Sequence, residues 1–537
     1  MRLQNNVATQ LKIMRGLTDD MLCTADLQPP MNIKDMDKGV DILKEAKEKD
    51  WKVTVVGDYD TDGLISIYAG LYGLRDFGIK RLGYIVPDRF KDGYGISDAI
   101  IDRILKSDCT VVLTCDNGTS ATEKLSELRN RGIKVIVTDH HKVPDVRADV
   151  DAFINPHQLG DTSRFKDYCG AGVMLQLLRA LGISKQALLQ LYPFIAIATV
   201  CDSMPLLYDN RLLVKLGMKA AKYTRNLGLN ALAVMAGLDT IANLSVYDMG
   251  YRIGPRLNAK GRLDNATDVV KLFLTKNNDL ICQLLQDIED TNRQRQALTE
   301  KGQKEVEALL GESKDDRVIA VCKSGLHPGV IGIVASRIKD KYGLPTIIMT
   351  NKDDMHIVGS ARSTDTVNMY SLVKGCREYL DSFGGHPKAA GLNLQPSNLT
   401  KFLCATQRTA VEKEKLRYDF ELDCDTITLG EICELSELEP FGEGNPKPKF
   451  KDKQLIIRTV IYDKVIKLYT SNGTELVLFS RLFNIINQLE SKGVKQTPDN
   501  SYEEFYLDYL YTPKVNRYLG KESVQIVVEE ILNIERG

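Results

Sequence analysis

Charge of one sign is what this chain most lacks: over 537 residues, 71 lysines and arginines offset 72 aspartates and glutamates, leaving a net charge of −1. A polyanionic partner would have to be held by localised basic surface, because the overall field offers no attraction. Also missing is any run of about 18 apolar residues, and Met1-Arg2-Leu3-Gln4-Asn5-Asn6 carries no apolar signal core. Neither a membrane span nor secretion is expected. The 11 cysteines include no Cys-x-x-Cys pair, and Cys109, Cys115, Cys201 and Cys322 lie in apolar stretches. That argues against a zinc site or a disulfide frame and for reduced, buried thiols in a cytoplasmic protein.

What is there is an alternation of strand and helix patterns. The chain is too long for one core and should divide into three or four domains. Residues 1–50 read as helical and are expected to pack on the domain that follows, at 51–267. Over 51–267, β-branched runs at 52–56, 81–86, 110–114, 134–138 and 152–154 alternate with helical periodicities, the signature of a doubly wound parallel sheet with its ligands beyond the carboxyl strand ends. The period of the apolar run 193–202 does not decide between helix and strand. Residues 268–312 read as a long connecting helix, polar on most faces and suited to bridging two domains through solvent. A second α/β unit spans 313–412, with strands at 318–322 and 346–350, a helix at 330–341 and a Gly-rich loop at Phe383-Gly384-Gly385-His386. Short strands at 455–462, 464–470, 475–479, 505–510 and 523–528 fit a small β-barrel of the oligonucleotide-binding (OB) type over 413–537.

Three patches follow strands of the first sheet: Gly57-Asp58-Tyr59-Asp60-Thr61-Asp62-Gly63, Cys115-Asp116-Asn117-Gly118 and Thr138-Asp139-His140-His141. Carboxylates crowded at one sheet edge repel unless a cation neutralises them, so a divalent-metal centre is the natural reading, as in two-metal phosphoesterases. A calcium loop would want a Glu at the twelfth position, where Ala69 stands, and a helix in front where the pattern is a strand. Mixed imidazole and carboxylate donors favour Mn²⁺, with Mg²⁺ as a weaker substitute. Asp202, which ends an apolar stretch before Pro205, reads on its own as a capping acid.

Taken in order, these motifs resemble the DHH phosphoesterase superfamily, and within it the RecJ family of single-strand-specific 5′-to-3′ DNA exonucleases. The likeness runs on through Val86-Pro87-Asp88-Arg89-Phe90-Lys91-Asp92-Gly93-Tyr94-Gly95, Asn155-Pro156, Cys169-Gly170-Ala171-Gly172-Val173 and Ile253-Gly254-Pro255-Arg256-Leu257-Asn258. His327-Pro328-Gly329-Val330-Ile331-Gly332, Gly359-Ser360-Ala361-Arg362-Ser363 and Gly384-Gly385-His386-Pro387-Lys388 resemble the DHH-associated domain, and Glu439-Pro440-Phe441-Gly442-Glu443-Gly444-Asn445-Pro446 the start of the family's OB domain.

The resemblance implies one ion held by Asp62, Asp116, His140 and Asp202, and a second held by Asp58, Asp60 and the shared Asp116. It implies Asp139 as the group orienting the histidines and His141 as the contact to the scissile phosphate or the leaving oxygen. Arg89, Ser360 and Arg362 would grip a 5′-terminal phosphate, Tyr94 would abut the nucleotide, and Arg256, Asn258, Arg262 and His386 would touch further phosphates. Each arginine has an ordinary alternative as a solvated or ion-paired residue, and Tyr94 as a core residue. The chain departs from the family at Lys260, which would add a cation to the cleft, at Ser203-Met204 and at Thr61; none removes a ligand. The chain also stops soon after the barrel, without the further domain of some relatives.

The implied protein is a monomeric cytoplasmic exonuclease of single-stranded DNA, in repair, recombination or phage DNA metabolism. A single-strand-binding protein and a helicase are candidate partners, and a membrane is not. Alternatives are a phosphodiesterase of short oligonucleotides or cyclic dinucleotides, and a non-catalytic scaffold related to a replicative-helicase subunit. Lys447, Lys449, Lys451 and Lys453 alternate, which fits a strand face following phosphates or the protection of an exposed β-edge.

Overall fold

The computed structural model describes residues 6–93, 95–311, 317–409, 411, 417–479, 482, 484–498, 501–518 and 520–537. Tyr94 lies outside them. Two compact units emerge: one comprises 28–202 and 216–415, the other the first 27 residues, 203–215 and the chain from 416 on.

In the larger unit, β1 (Val53–Val56), β2 (Leu82–Ile85), β3 (Val111–Cys115), β4 (Lys134–Thr138) and β5 (Ala152–Ile154) form an all-parallel sheet in the order β2-β1-β3-β4-β5. β1, β3 and β5 are buried throughout, as strands covered by helices on both faces must be. The strand order reverses beside β1, so the loops after β1, β3 and β4 open at the switch point. The undecided apolar run belongs to the helix Lys185–Cys201, which ends on Asp202. Length settles what periodicity could not, since 17 residues exceed a buried strand.

The connecting stretch differs from expectation. It is two helices, Thr267–Leu274 and Asn278–Leu310, the second starting at Asn277, whose side chain accepts from two backbone amides. The 33-residue helix is polar on most faces but does not merely bridge through solvent: Ile281, Leu285, Ile288, Asn292, Arg295, Thr299, Gly302 and Val306 form one buried stripe at spacings of three and four. Polar residues within that stripe disguise it in the sequence. A second sheet, β6 (Ile319–Cys322), β7 (Thr346–Asn351), β8 (Ile357–Arg362), β9 (Ser382–His386) and β10 (Ala389–Leu394), has the order β6-β7-β8-β10-β9. The Gly-rich segment expected as a loop is β9, an edge strand. Only glycine fits there at Gly385, where a Cβ would stand 2.3 Å from the Ala389 carbonyl of its partner strand.

In the smaller unit, β11 (Phe420–Glu421), β12 (Phe450–Ile461), β13 (Val465–Thr470), β14 (Glu475–Phe479), β15 (Phe505–Tyr518) and β16 (Lys521–Arg536) lie in the order β11-β12-β13-β14-β16-β15, and β12 also pairs with β15. That last pairing closes a barrel. Two corrections follow. Val7, Ala8 and Leu11 of the helix Val7–Arg15 belong to the barrel's core together with Phe450 and Tyr509, and Arg15 forms a two-pronged pair with Asp419. The first helix is thus part of the barrel unit, whereas Met36–Glu48 lies on the parallel sheet, Gly39 passing close to Ile154. The lysine stripe also fails as drawn. Lys447 and Lys449 precede β12, while Lys451 pairs with Glu421 and Lys453 with Glu535, on a strand bonded on both sides. It is neither a free cationic face nor an exposed edge.

Candidate metal and phosphate site

The loop after β1 is pinned from several directions. Asp60 caps the helix Thr61–Phe77, its Oδ1 accepting from Gly63 at 3.0 Å. Gly63 must lack a side chain, because a Cβ would lie 2.6 Å from the Asp58 nitrogen. Asp62 is wholly enclosed, and its two oxygens accept from the Gly170 and Ala171 amides at 2.6 and 2.9 Å, at the start of the helix Gly170–Ala180. Asp116, after β3, takes a left-handed φ of 54°, a conformation that costs a non-glycine residue about 1–2 kcal/mol. It is wedged there by Gly170, whose Cβ would come within 2.4 Å of the Asp116 side chain. Backbone strain beneath a carboxylate marks a place where geometry is being imposed.

After β4, Asp139 spends its oxygens locally. One accepts from the Thr119 amide at 2.9 Å, the other from the His140 amide at 2.8 Å and from His141 Nδ1 at 2.7 Å. His140 Nε2 then stands 3.1 Å from Asp116, 3.6 Å from Asp202 and 3.9 Å from Asp62, while its ring also bonds the Tyr168 backbone. Asp62, His140 and Asp202 form one group with ligand atoms within 4.8 Å of each other, and Asp116, Asp139, His140 and His141 another. Among the described residues Asp58 and Asp60 join neither group, and Asp58 Oδ1 is buried without a hydrogen-bond partner.

The electrostatics are those of acids short of a counter-ion. Burial, then the Asp60 charge, holds Asp58 up at about 8, and the same two causes hold Asp62 at about 6. Asp116 and Asp202 are pushed well above the carboxylate range by burial and then by Asp62. Burial and the neighbouring His141 cation lower His140 to about 4. Burial opposes protonation of His141 as well, but the bond to Asp139 outweighs it and raises the imidazole to about 9. Asp139 itself stays ionised: the His141 hydrogen bond and charge overcome its burial. A neutral imidazole facing unpaired carboxylates, with an orphaned carboxylate oxygen nearby, is a donor set that fits divalent cations.

Across the same unit lies the opposite imbalance. Arg362 at the end of β8 donates to Ser360 Oγ at 3.0 Å, and Gly332, second residue of the helix Ile331–Tyr342, lacks the Cβ that would stand 2.8 Å from the Arg362 guanidinium. Arg262 is lowered to about 10 by burial and then by Arg89 and Arg362; Arg362 is lowered by burial and by Arg89. Among the described residues none of these three guanidiniums has a carboxylate within ion-pair reach. Three crowded, unpaired arginines call for an anion. His386 looks onto both clusters, lowered by burial, Arg362, Lys142 and His141.

Three other sequence candidates are engaged elsewhere. Arg256 forms a two-pronged pair with Glu289 of the long helix, with Nε–Oε2 at 2.7 Å. Asn258 accepts from the Thr61 amide at 2.9 Å, so it braces the aspartate loop. Lys260, wholly buried, reaches Asp264 and Asp287, each at 2.6 Å, and adds no cation to the cleft. Sequence reading gave two residues no role. Asn155 donates to Thr119 Oγ1 and to the His141 carbonyl, steadying the histidine loop; its signal was the Asn-Pro that ends β5. Arg295, 8% exposed, donates among the described residues to the Asn292 amide oxygen and lies in the field of Arg337 and Arg256, and nothing set it apart from the charged residues around it.

Family models match in sequence order: the DHH family N-terminal domain at 52–199, the DHHA1 domain at 315–412 and the RecJ OB domain at 418–530. The single-stranded-DNA-specific exonuclease RecJ of Dickeya dadantii is 31% identical over 92% of this chain and 90% of its own length. The chain belongs to the RecJ family. RecJ of Bacillus subtilis is 32% identical over 87% of the chain, a match that spans 59% of that relative's length. The fold agrees with RecJ of Thermus thermophilus in complex with Mn²⁺, at a TM-score of 0.81 and 24% identity over 98% of this chain and 76% of that one. The Mg²⁺ complex of the same enzyme gives 0.76 at 23% identity, over 99% and 75%.

Proposed function

We propose that this RecJ-family protein is a metal-dependent exonuclease that hydrolyses single-stranded DNA from its 5′ end. The observation that carries the reading is the pairing, within one unit, of an uncompensated acid–imidazole centre with an uncompensated arginine pocket. One cluster wants cations and the other an anion, and a terminally phosphorylated strand with its activating ions satisfies both. The relatives' names give single-stranded DNA and exonuclease action. The 5′ polarity rests on Arg89, Arg262, Arg362 and Ser360 as the seat of a terminal phosphate.

Asp62, Asp116, His140 and Asp202 would hold one divalent ion, and Asp58, Asp60 and Asp116 a second, Mn²⁺ or Mg²⁺. Bound there, the ions supply positive charge to the phosphodiester and acidify water. Asp139 takes the Nδ1–H of His141 and keeps the imidazolium charged near neutrality, so His141 can give a proton to the departing oxygen. The Tyr168 backbone bond turns His140 so that Nε2 faces the acids. The barrel of the other unit is of a kind that binds single strands. Among the described residues no helix is long and apolar enough to cross a membrane, which is compatible with a cytoplasmic enzyme. A monomer working with a single-strand-binding protein and a helicase is the expected setting.

The test is a long, labelled single strand in Mn²⁺, carrying either a 5′-phosphate or a 5′-hydroxyl, beside the matching duplex. Release of nucleotides from the 5′ end of the single strand is expected, faster with the phosphate. Rapid cleavage of dinucleotides with no attack on the long strand would overturn it.

A further inference from the structure

Tyr247 and Tyr251 are 54% and 73% exposed, yet their rings stack, with centroids 5.0 Å apart and planes inclined by 22°. Arg252 lies 5.9 Å from the Tyr247 ring centre, tethered to Asp248 at 3.2 Å. Two large rings held parallel in solvent gain little from each other there, so their exposure needs a reason. Tyr251 sits on a π-helical turn, Asp248–Ile253, and Tyr247 caps its start, while Met249 and Ile253 of the turn are fully buried. Such turns are uncommon and concentrate at functional sites.

The turn is fixed to the metal centre. Cys201, adjacent to Asp202, donates to the Met249 carbonyl at 3.5 Å, and Gly254 is bare because a Cβ would lie 2.3 Å from the Cys201 sulfur. From that point the helix Gly254–Leu263 runs about 15 Å, carrying Asn258 against the aspartate loop and ending on Arg262 in the arginine cluster. One helix thus sets out in order the aromatic pair, the acid–imidazole centre and the pocket for a terminal phosphate.

We infer that Tyr247 and Tyr251 form a base-stacking platform for the single strand on the 3′ side of the scissile phosphate. The inference rests on the proposed 5′-end reading. Aromatic faces take any base, so the platform suits an enzyme indifferent to sequence, and the Arg252 charge beside it suits the strand's backbone. A stacked base on one flank and a gripped phosphate on the other would hold the intervening phosphodiester over the centre.

The test places 2-aminopurine at successive positions of a 5′-phosphorylated strand and titrates the full-length protein in EDTA, which stops hydrolysis. Quenching confined to a position just downstream of the cleaved bond is expected, abolished in Tyr247→Ala/Tyr251→Ala and retained in Tyr251→Phe. In Mn²⁺ the double variant should raise KM for the normal strand roughly tenfold, and the increase should disappear on a strand abasic at the quenched position. Unfolding midpoints equal to wild type would exclude misfolding as the cause. Uniform quenching, or an unchanged KM in the double variant, would overturn the platform. If the wild-type protein released no 5′ nucleotides from the normal strand, the functional reading itself would fall instead.

Discussion

Along the helix Gly254–Leu263, Arg256 and Lys260 end on carboxylates of the connecting stretch, whereas Arg262, four residues beyond Asn258, ends among Arg89 and Arg362, where among the described residues only a carbonyl, that of Gly329 at 3.4 Å, accepts from it. The three cations share one helix, yet their surroundings differ in kind. A buried charge with its partner inside the chain is complete and can only support the fold. A buried charge without one has been desolvated at a cost that folding alone does not recover, so its partner must come from outside. The same contrast separates Asp139, ringed by donors, from Asp58, Asp116 and Asp202, which are pushed towards protonation. Along this helix, partnering inside the chain therefore sorts structural from ligand-binding cations, where residue type does not.

The largest effect should come from removing an acid of the centre or its imidazole. Asp116→Ala and His140→Ala are expected to lower nuclease turnover by more than about 10³-fold, since several kcal/mol of transition-state charge stabilisation is lost with the ions. Both should also abolish the rise in unfolding midpoint on adding Mn²⁺, read by calorimetry. A variant that kept the Mn²⁺-dependent rise and the rate would break the contrast at its strongest point.

Next in size is the arginine pocket. Arg362→Ala deletes a charge-assisted, potentially two-pronged contact worth about 1.5–3 kcal/mol, so KM for a 5′-phosphorylated strand should rise roughly 10- to 100-fold. Strands with a 5′-hydroxyl should be affected far less. Equal losses on the two substrates in a steady-state assay would show that Arg362 acts on something other than a terminal phosphate.

How much of this was legible in the sequence follows the same line. The parallel sheet and the acid–histidine patches could be read because β-branched runs and clustered carboxylates are local signals. The roles of Arg256, Asn258 and Lys260 could not, because each is decided by a residue far along the chain: Glu289, Thr61 and Asp287. The first helix was misplaced for a similar reason. Its small apolar face, Val7, Ala8 and Leu11, fits any core, and it is long-range contacts, among them the pair of Arg15 with Asp419, that commit it to the barrel. The long helix was misread because Asn292, Arg295 and Thr299 occupy its buried stripe, where periodicity arguments expect apolar side chains.

A smaller effect is the pH dependence of the metal-free fold. Unfolded aspartates ionise near 4 and histidine near 6.5, whereas folded Asp58 stands at about 8, Asp62 at about 6 and His141 at about 9. Folded protein therefore holds protons that the unfolded chain has released, and its stability falls as pH rises through this range. His140, lowered to about 4, acts in the opposite sense below 6.5, so the decline should be clearest between pH 6.5 and 8. In EDTA the unfolding midpoint should drop across that window, and Mn²⁺ should flatten the dependence while releasing protons on binding. A flat profile in EDTA would mean that the acids have found partners within the chain.

The smallest effect should come from the partnered side. Lys260→Met replaces a buried ammonium by a side chain of similar length and leaves Asp264 and Asp287, whose side chains are 57% and 49% exposed, free to turn to water. Because those carboxylates are not trapped, the loss should stay near 1–2 kcal/mol, well below the cost of stranding a fully buried charge. It should register in denaturant midpoints, with kcat and KM on a 5′-phosphorylated strand unchanged. A rise in KM without loss of stability would move Lys260 from the partnered charges to those that face the strand, and would give this chain's departure from its family at that position a part in binding.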